Sequence, residues 1–189
     1  MAGGEPLLMK ENLELLELLQ EKNPNVNLRI NTNLSKTNTK VFEKVCEFPN
    51  VHWTVSVDEI GAEFEYIRYP AKWNEVEETL FWWRDNLPHN SMLSLTVTAS
   101  ILNVLSLNKL FEWHKENFSK SCFGDDIEIY VHQAFGDFGL ESMPASMKTK
   151  LKSIENYCVP WIQQSNILGS RPFMLEQAMR KLKENDQRR

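Results

Sequence analysis

Polar side chains suited to holding a small charged ligand recur along this chain, each group placed just after a strand-like run. The chain opens on Gly3-Gly4-Glu5, two glycines and a carboxylate ahead of a helical segment. Glycines let a ligand approach the backbone, and unpaired N–H groups at a helix start favour anionic atoms. Asn31, Thr32 and Asn33 come next, then Ser56 and Asp58, then Thr96, Thr98 and Ser100, and finally His132 and Gln133. In parallel α/β folds ligands bind at the carboxyl ends of the strands. Together these groups describe a polar mouth suited to a small zwitterionic ligand. Each also has a structural use. Asn31 and Asn33 can serve as turn or capping residues, Asp58 can cap a segment starting at Ile60, and His132 can be a rim histidine.

The elements that would position these groups alternate. Leu8 to Lys22 carries Leu15, Leu16 and Leu19 at helical spacing and stops at Asn23-Pro24. Val26 to Ile30 alternates like a strand. Thr39 to Phe48 reads as a helix with Val41, Phe42 and Val45 on one face, and Val51 to Val57 as the next strand. A helix over Lys72 to Leu87, a strand over Leu93 to Thr98, a helix over Leu107 to Phe118 and a strand over Ile127 to Val131 follow. Pro144 and Pro172 are each expected to open a further helix, through Ile154 and Lys183. Such alternation predicts an α/β fold of parallel strands joined by right-handed crossovers. The expected units are a core over 1–156 and a helical C-terminal tail over 157–189. A βα series ordinarily starts on a strand, whereas this one starts on a glycine turn feeding a helix. The expectation is a fold entered part-way, with an exposed edge strand at Val26–Ile30 that invites association.

Composition narrows the partners. The 189 residues carry a net charge of −5, with 42% hydrophobic and 25% charged residues, which is globular composition. Phosphate binding rests on clustered Lys and Arg, so neither nucleic acid nor an anionic membrane is expected as a partner. The one basic run, Arg180 to Lys183 with Arg188 and Arg189, is interrupted by acids. No apolar run reaches the roughly 18 residues of a membrane span. The first residues lack the pattern of a signal peptide, and a cytoplasmic location follows. Cys46, Cys122 and Cys158 are odd in number and too widely separated for a metal-ligand set. They read as reduced, mostly buried thiols.

Several of these stretches also resemble radical SAM enzymes of the twitch-domain type. Gly3-Gly4-Glu5-Pro6-Leu7-Leu8 is similar to the Gly-Gly-Glu motif that closes the family's second barrel strand. Leu28 to Leu34 resembles the third strand, and Val55-Ser56-Val57-Asp58-Glu59-Ile60-Gly61 the fourth. Glu65-Tyr66-Ile67-Arg68-Tyr69-Pro70 with Lys72-Trp73 resembles a run typical of the twitch-domain subgroup. Thr96 to Ser100 with Asn103-Val104 looks like the fifth strand and its turn. The likeness runs from Gly3 to about Leu151.

The resemblance implies an incomplete parallel (βα) barrel missing its first strands. It implies S-adenosylmethionine as ligand, bound by Gly3, Gly4, Glu5, Asn31, Asn33, Ser56, Asp58, Arg68 and Thr98. Glu5 and its glycines would meet the amino group, and Arg68 the carboxylate, a task suited to a guanidinium fork. The complete parent would cleave S-adenosylmethionine reductively to a 5′-deoxyadenosyl radical, using a 4Fe-4S cluster held by CxxxCxxC. That motif does not occur in this sequence. Three readings follow: an enzyme portion inactive alone, a degenerate S-adenosylmethionine-binding protein without redox chemistry, or an interaction protein whose open edge docks a separate chain supplying the N-terminal strands. No residue of this chain is assigned a catalytic role or a metal.

Overall fold

The computed structural model describes residues 4–87, 90–118, 127–144, 146–147 and 150. Within them four strands, β1 (Leu28–Thr32), β2 (Val51–Ser56), β3 (Met92–Ala99) and β4 (Glu128–Gln133), form one sheet in the order β1-β2-β3-β4. Every neighbouring pair is parallel. The α/β class expected from the alternation is therefore the class observed. α1 (Glu11–Lys22) precedes β1, and between the strands run α2 (Lys40–Cys46), α3 (Gly61–Ile67), α4 (Trp73–Asn86) and α5 (Leu107–Phe118).

The sequential strand order fixes where the helices sit. Right-handed crossovers that all step in one direction along a sheet carry their helices to the same face. Side-chain burial agrees. Leu28, Ile30, Val51, Trp53, Val55, Leu95 and Val97 are buried in one apolar cluster with the inner faces of α2, α4 and α5. The intervening strand positions are exposed or half-buried. At the centre Trp53 of β2 stacks on Trp83 of α4 with ring centroids 4.5 Å apart, and Phe42 of α2 lies 5.8 Å from Trp53. Trp73, Trp113, Phe81 and Phe118 extend the aromatic packing between α4 and α5.

Several elements depart from the sequence reading. Helix α1 starts at Glu11, because Pro6–Leu8 forms a separate 3-10 turn capped by the Glu5 carboxylate. Leu15 is 44% exposed, and Leu16 alone of that helix is fully buried. β1 begins two residues later than expected: Val26 N–H turns back to the Asn23 carbonyl, and pairing with the next strand starts where Leu28 N–H reaches the Asn50 carbonyl. Cys46 is exposed at the end of α2, not buried. Helix α3 occupies the segment that Asp58 was expected to cap at Ile60, but its start carries no side-chain cap. In the helix expected after Pro144, the described residues Ser146, Met147 and Lys150 are helical; the rest of that segment, the helix expected after Pro172, the 157–189 tail, Gly3, Cys122 and Cys158 lie outside the described residues.

No helix among the described residues is long and apolar enough to cross a membrane.

Candidate functional site

The carboxyl ends of β1, β2 and β3 carry a connected set of charged and amide groups. At β1, Glu5 reaches across from the turn before α1. Its carboxylate accepts from the Thr32 hydroxyl at 2.6 Å, from Asn33 N–H at 2.8 Å and from Leu7 N–H at 3.3 Å. An ionised carboxylate offers about four acceptor sites. Those three donors leave capacity for another. Gly4 precedes it with φ +66°, a conformation that L side chains rarely adopt, and a Cβ built there would touch only Met9 Sδ at 3.9 Å.

Asp58 stands just past the end of β2 and is buried. Its Oδ1 accepts Thr98 N–H at 2.7 Å, which ties β2 to β3. Its Oδ2 lies 2.5 Å from Nη2 of Arg68. The local path explains this meeting. Gly61 starts α3 with φ +60°, the helix lasts only through Ile67, and Arg68 caps it with its N–H on the Phe64 carbonyl. The guanidinium is thereby returned over the strand end that the helix left. Its Nε is buried without a hydrogen-bond partner.

Asn103 locks this corner. Its amide donates to the Asp58 carbonyl at 2.7 Å and to the Thr98 carbonyl at 3.0 Å. Its Oδ1 accepts Ser100 N–H at 2.8 Å. Beside it Glu59 is fully buried; Oε2 accepts its neighbour Ile60 N–H at 3.0 Å, while Oε1 accepts no hydrogen bond. Burial pushes the Glu59 carboxyl above the ordinary value, and a side-chain interaction with Ser106 opposes that in part.

The structure thus joins Glu5 to the end of β1, and Asp58, Arg68 and Thr98 to one another. The remaining expected residues are placed differently. Asn33 acts through its backbone and as a turn: its N–H goes to Glu5 and its Oδ1 accepts Ser35 N–H at 2.8 Å. Asn31 is exposed on the outer face of β1, and Ser56 meets the Thr96 hydroxyl at 3.4 Å. His132 is exposed. Asn103 and Glu59 were not among the expected site residues. An asparagine three positions after the serine that follows β3 was the available signal for the first, and a second carboxylate directly after Asp58 at a strand end for the second. Four large aromatic side chains, Tyr66, Tyr69, Phe135 and Phe138, are exposed on the segments following β2 and β4.

The residues do not fit an iron–sulfur cluster. Cys46 lies at the end of α2, and no group of three or more His, Cys, Asp or Glu among the described residues could hold a metal ion. They do suit a zwitterion: spare carboxylate capacity at Glu5 for an ammonium, and a guanidinium at Arg68 for a carboxylate.

No protein-family model, curated protein or solved structure matches this chain.

Proposed function

We propose that this chain is the S-adenosylmethionine-binding portion of a radical SAM enzyme, and that its sheet is part of a (βα) barrel. The observation that carries the reading is the joining of Asp58, Arg68 and Thr98 at the carboxyl ends of adjacent parallel strands, within a sheet wound in one direction. A barrel needs that sequential order, and ligands collect at that end of it. Glu5 would take the ammonium of the methionine moiety and Arg68 its carboxylate. Tyr69 or Phe135 would offer a face to the adenine. Gly3, Gly4, Asn31, Asn33 and Ser56 complete the proposed lining.

In the parent enzyme the 4Fe-4S cluster would supply the electron that cleaves the ligand to a 5′-deoxyadenosyl radical. Its thiolates are not in this sequence. We assign them to a separate chain that also pairs with the edge of β1, and we take the site of action to be the cytoplasm. The same lack of a cysteine triad favours a second reading, binding of S-adenosylmethionine without redox chemistry.

Calorimetry with S-adenosylmethionine tests the shared premise. Saturable binding weakened at least about tenfold in Arg68→Ala, the loss of a charge-assisted pair, supports it. Absence of binding both alone and with a cysteine-bearing partner refutes it.

A further inference from the structure

Parallel sheets are ordinarily covered on both faces, and their strands then read as near-continuous apolar runs. Here the face away from the helices is largely polar on every strand, with the exposed Met92 at the start of β3 as its apolar member. Arg29 and Asn31 stand there on β1, His52, Thr54 and Ser56 on β2, Ser94, Thr96 and Thr98 on β3, and Glu128, Tyr130 and His132 on β4. Exposure to water does not account for this composition. A solvated face is usually furnished with long charged side chains, yet the four strands contain no lysine.

The face is instead built from short hydroxyls tied to one another. Ser94 sits at its centre, 2% exposed, with His52 Nε2 at 3.0 Å and the Thr54 hydroxyl at 3.3 Å from its Oγ. The strand register places Asn31, Thr54, Ser94 and Glu128 in one row across the sheet. Arg29, His52 and Met92 form the adjacent row. Glu128 accepts the Tyr130 hydroxyl. The charges of Arg29 and Glu128 both act on His52 and on Tyr130, so a cation at one side and a carboxylate at the other share one field.

We propose that this helix-free face binds a polyhydroxylated small molecule bearing an anionic group, a sugar acid or a sugar phosphate, with the anion toward Arg29 and the hydroxyls over Thr54 and Glu128, whose row the buried Ser94 supports from within. A guanidinium matches the planar or trigonal geometry of carboxylate and phosphate oxygens. Ser and Thr hydroxyls both donate and accept, so a row of them complements the hydroxyls of a sugar. Burial and the nearby Arg29 charge lower the His52 pKa, which favours a neutral imidazole with one donor and one acceptor. Three interstrand spacings of about 4.8 Å make the row about 14 Å wide, enough for one such ligand. The face shares Asn31, Ser56 and Thr98 with the strand-end lining but uses neither Glu5, Asp58 nor Arg68, and the proposal does not depend on the S-adenosylmethionine reading.

Titration of the 15N-labelled full chain with D-gluconate, ribose 5-phosphate, D-ribose and inorganic phosphate tests the proposal by NMR. At least one of the two anionic sugars should shift the amides of Thr54, Ser94 and Tyr130 saturably, and which one does so identifies the anion. D-ribose and inorganic phosphate should bind at least about tenfold more weakly, since each lacks half of the recognised chemistry. Arg29→Ala should lose about tenfold in affinity with its remaining spectrum intact, and Arg29→Lys should lose less. Glu78→Gln, exposed on α4, should leave sugar binding unchanged. No saturable shift with either anionic sugar, equal affinity in Arg29→Ala, or equal shifts from inorganic phosphate alone would overturn it.

Discussion

Arg68 and Asp58 meet at 2.5 Å across the end of the sheet, and the same carboxylate holds Thr98 N–H with its other oxygen. One side chain therefore closes both the loop between β2 and α3 and the junction between β2 and β3. Ligand recognition and local stability should be coupled at this point.

Replacing Asp58 by Ala strands both of its partners. The pair is only partly buried on the arginine side, with Arg68 25% exposed, so its loss falls short of that of a fully buried ion pair. We expect a destabilisation of about 2–3 kcal/mol, from the Thr98 hydrogen bond and the unpaired guanidinium. Arg68→Ala should cost less and still weaken S-adenosylmethionine binding at least about tenfold in calorimetry. Equal ligand affinity in wild type and both variants would show that the ligand lies elsewhere.

Asn103 makes a different demand. Its amide serves two backbone carbonyls, so an aspartate of the same shape would set an acceptor against acceptors. Asn103→Ala should cost about 2–3 kcal/mol in urea unfolding, roughly the sum of two or three net hydrogen bonds in a buried setting. Asn103→Asp should cost more near neutral pH and recover in acid, where a protonated carboxyl again carries a donor. A pH-independent penalty for Asn103→Asp would contradict the donor role.

Glu59 gives the chain a pH dependence of known sign. Burial raises its pKa in the folded state above the ordinary 4.5. The folded chain then holds a proton that the unfolded chain releases, so this group's contribution is full below about 4.5 and is lost as pH rises through the folded value. Glu59→Gln keeps the hydrogen bond to Ile60 and removes the titration. Its melting temperature should exceed wild type at about pH 8 by roughly 2–4 °C, the shift 1 kcal/mol produces in a chain of this size, with no gain at about pH 4. A constant difference across that range would mean that Glu59 is charged in both states.

Anaerobic incubation of the purified chain with iron and sulfide should yield no four-iron four-sulfur cluster, because such a cluster needs three closely placed thiolates. Stoichiometric iron with a charge-transfer band that disappears when Cys46, Cys122 and Cys158 are all replaced by Ser would reverse this expectation.

Where the apolar pattern was long or strictly alternating, the sequence made the structure legible. α5 spans Leu107–Phe118 as its periodicity indicates, and β2 and β3 lie within a residue of their expected ends. Asp58 and Thr98 were legible because they sit just past or at the end of such strands. The failures have physical causes. α3 is seven residues long, too short to display a helical period, and it starts on a glycine at positive φ. The face of α1 was misjudged at Leu15 because a leucine-rich helix offers several possible stripes, and only packing against α2 selects one. The partnership of Arg68 with Asp58 depends on how α3 turns the chain back, which no spacing rule conveys. The polar face of the sheet was visible as alternation in each strand, but only the register of all four shows that the polar positions align.

The unbroken order of the four strands also dictates how the sheet can be made. As the chain leaves the ribosome, each new strand finds its neighbour already synthesised, and no strand must wait for a distant partner. Growth of this kind adds at one border alone, keeps pairing partners near in sequence, and favours rapid assembly over trapped intermediates. β1 is the founding border: it is the first of the four to be made, and among the described residues no later strand pairs with its outer rim.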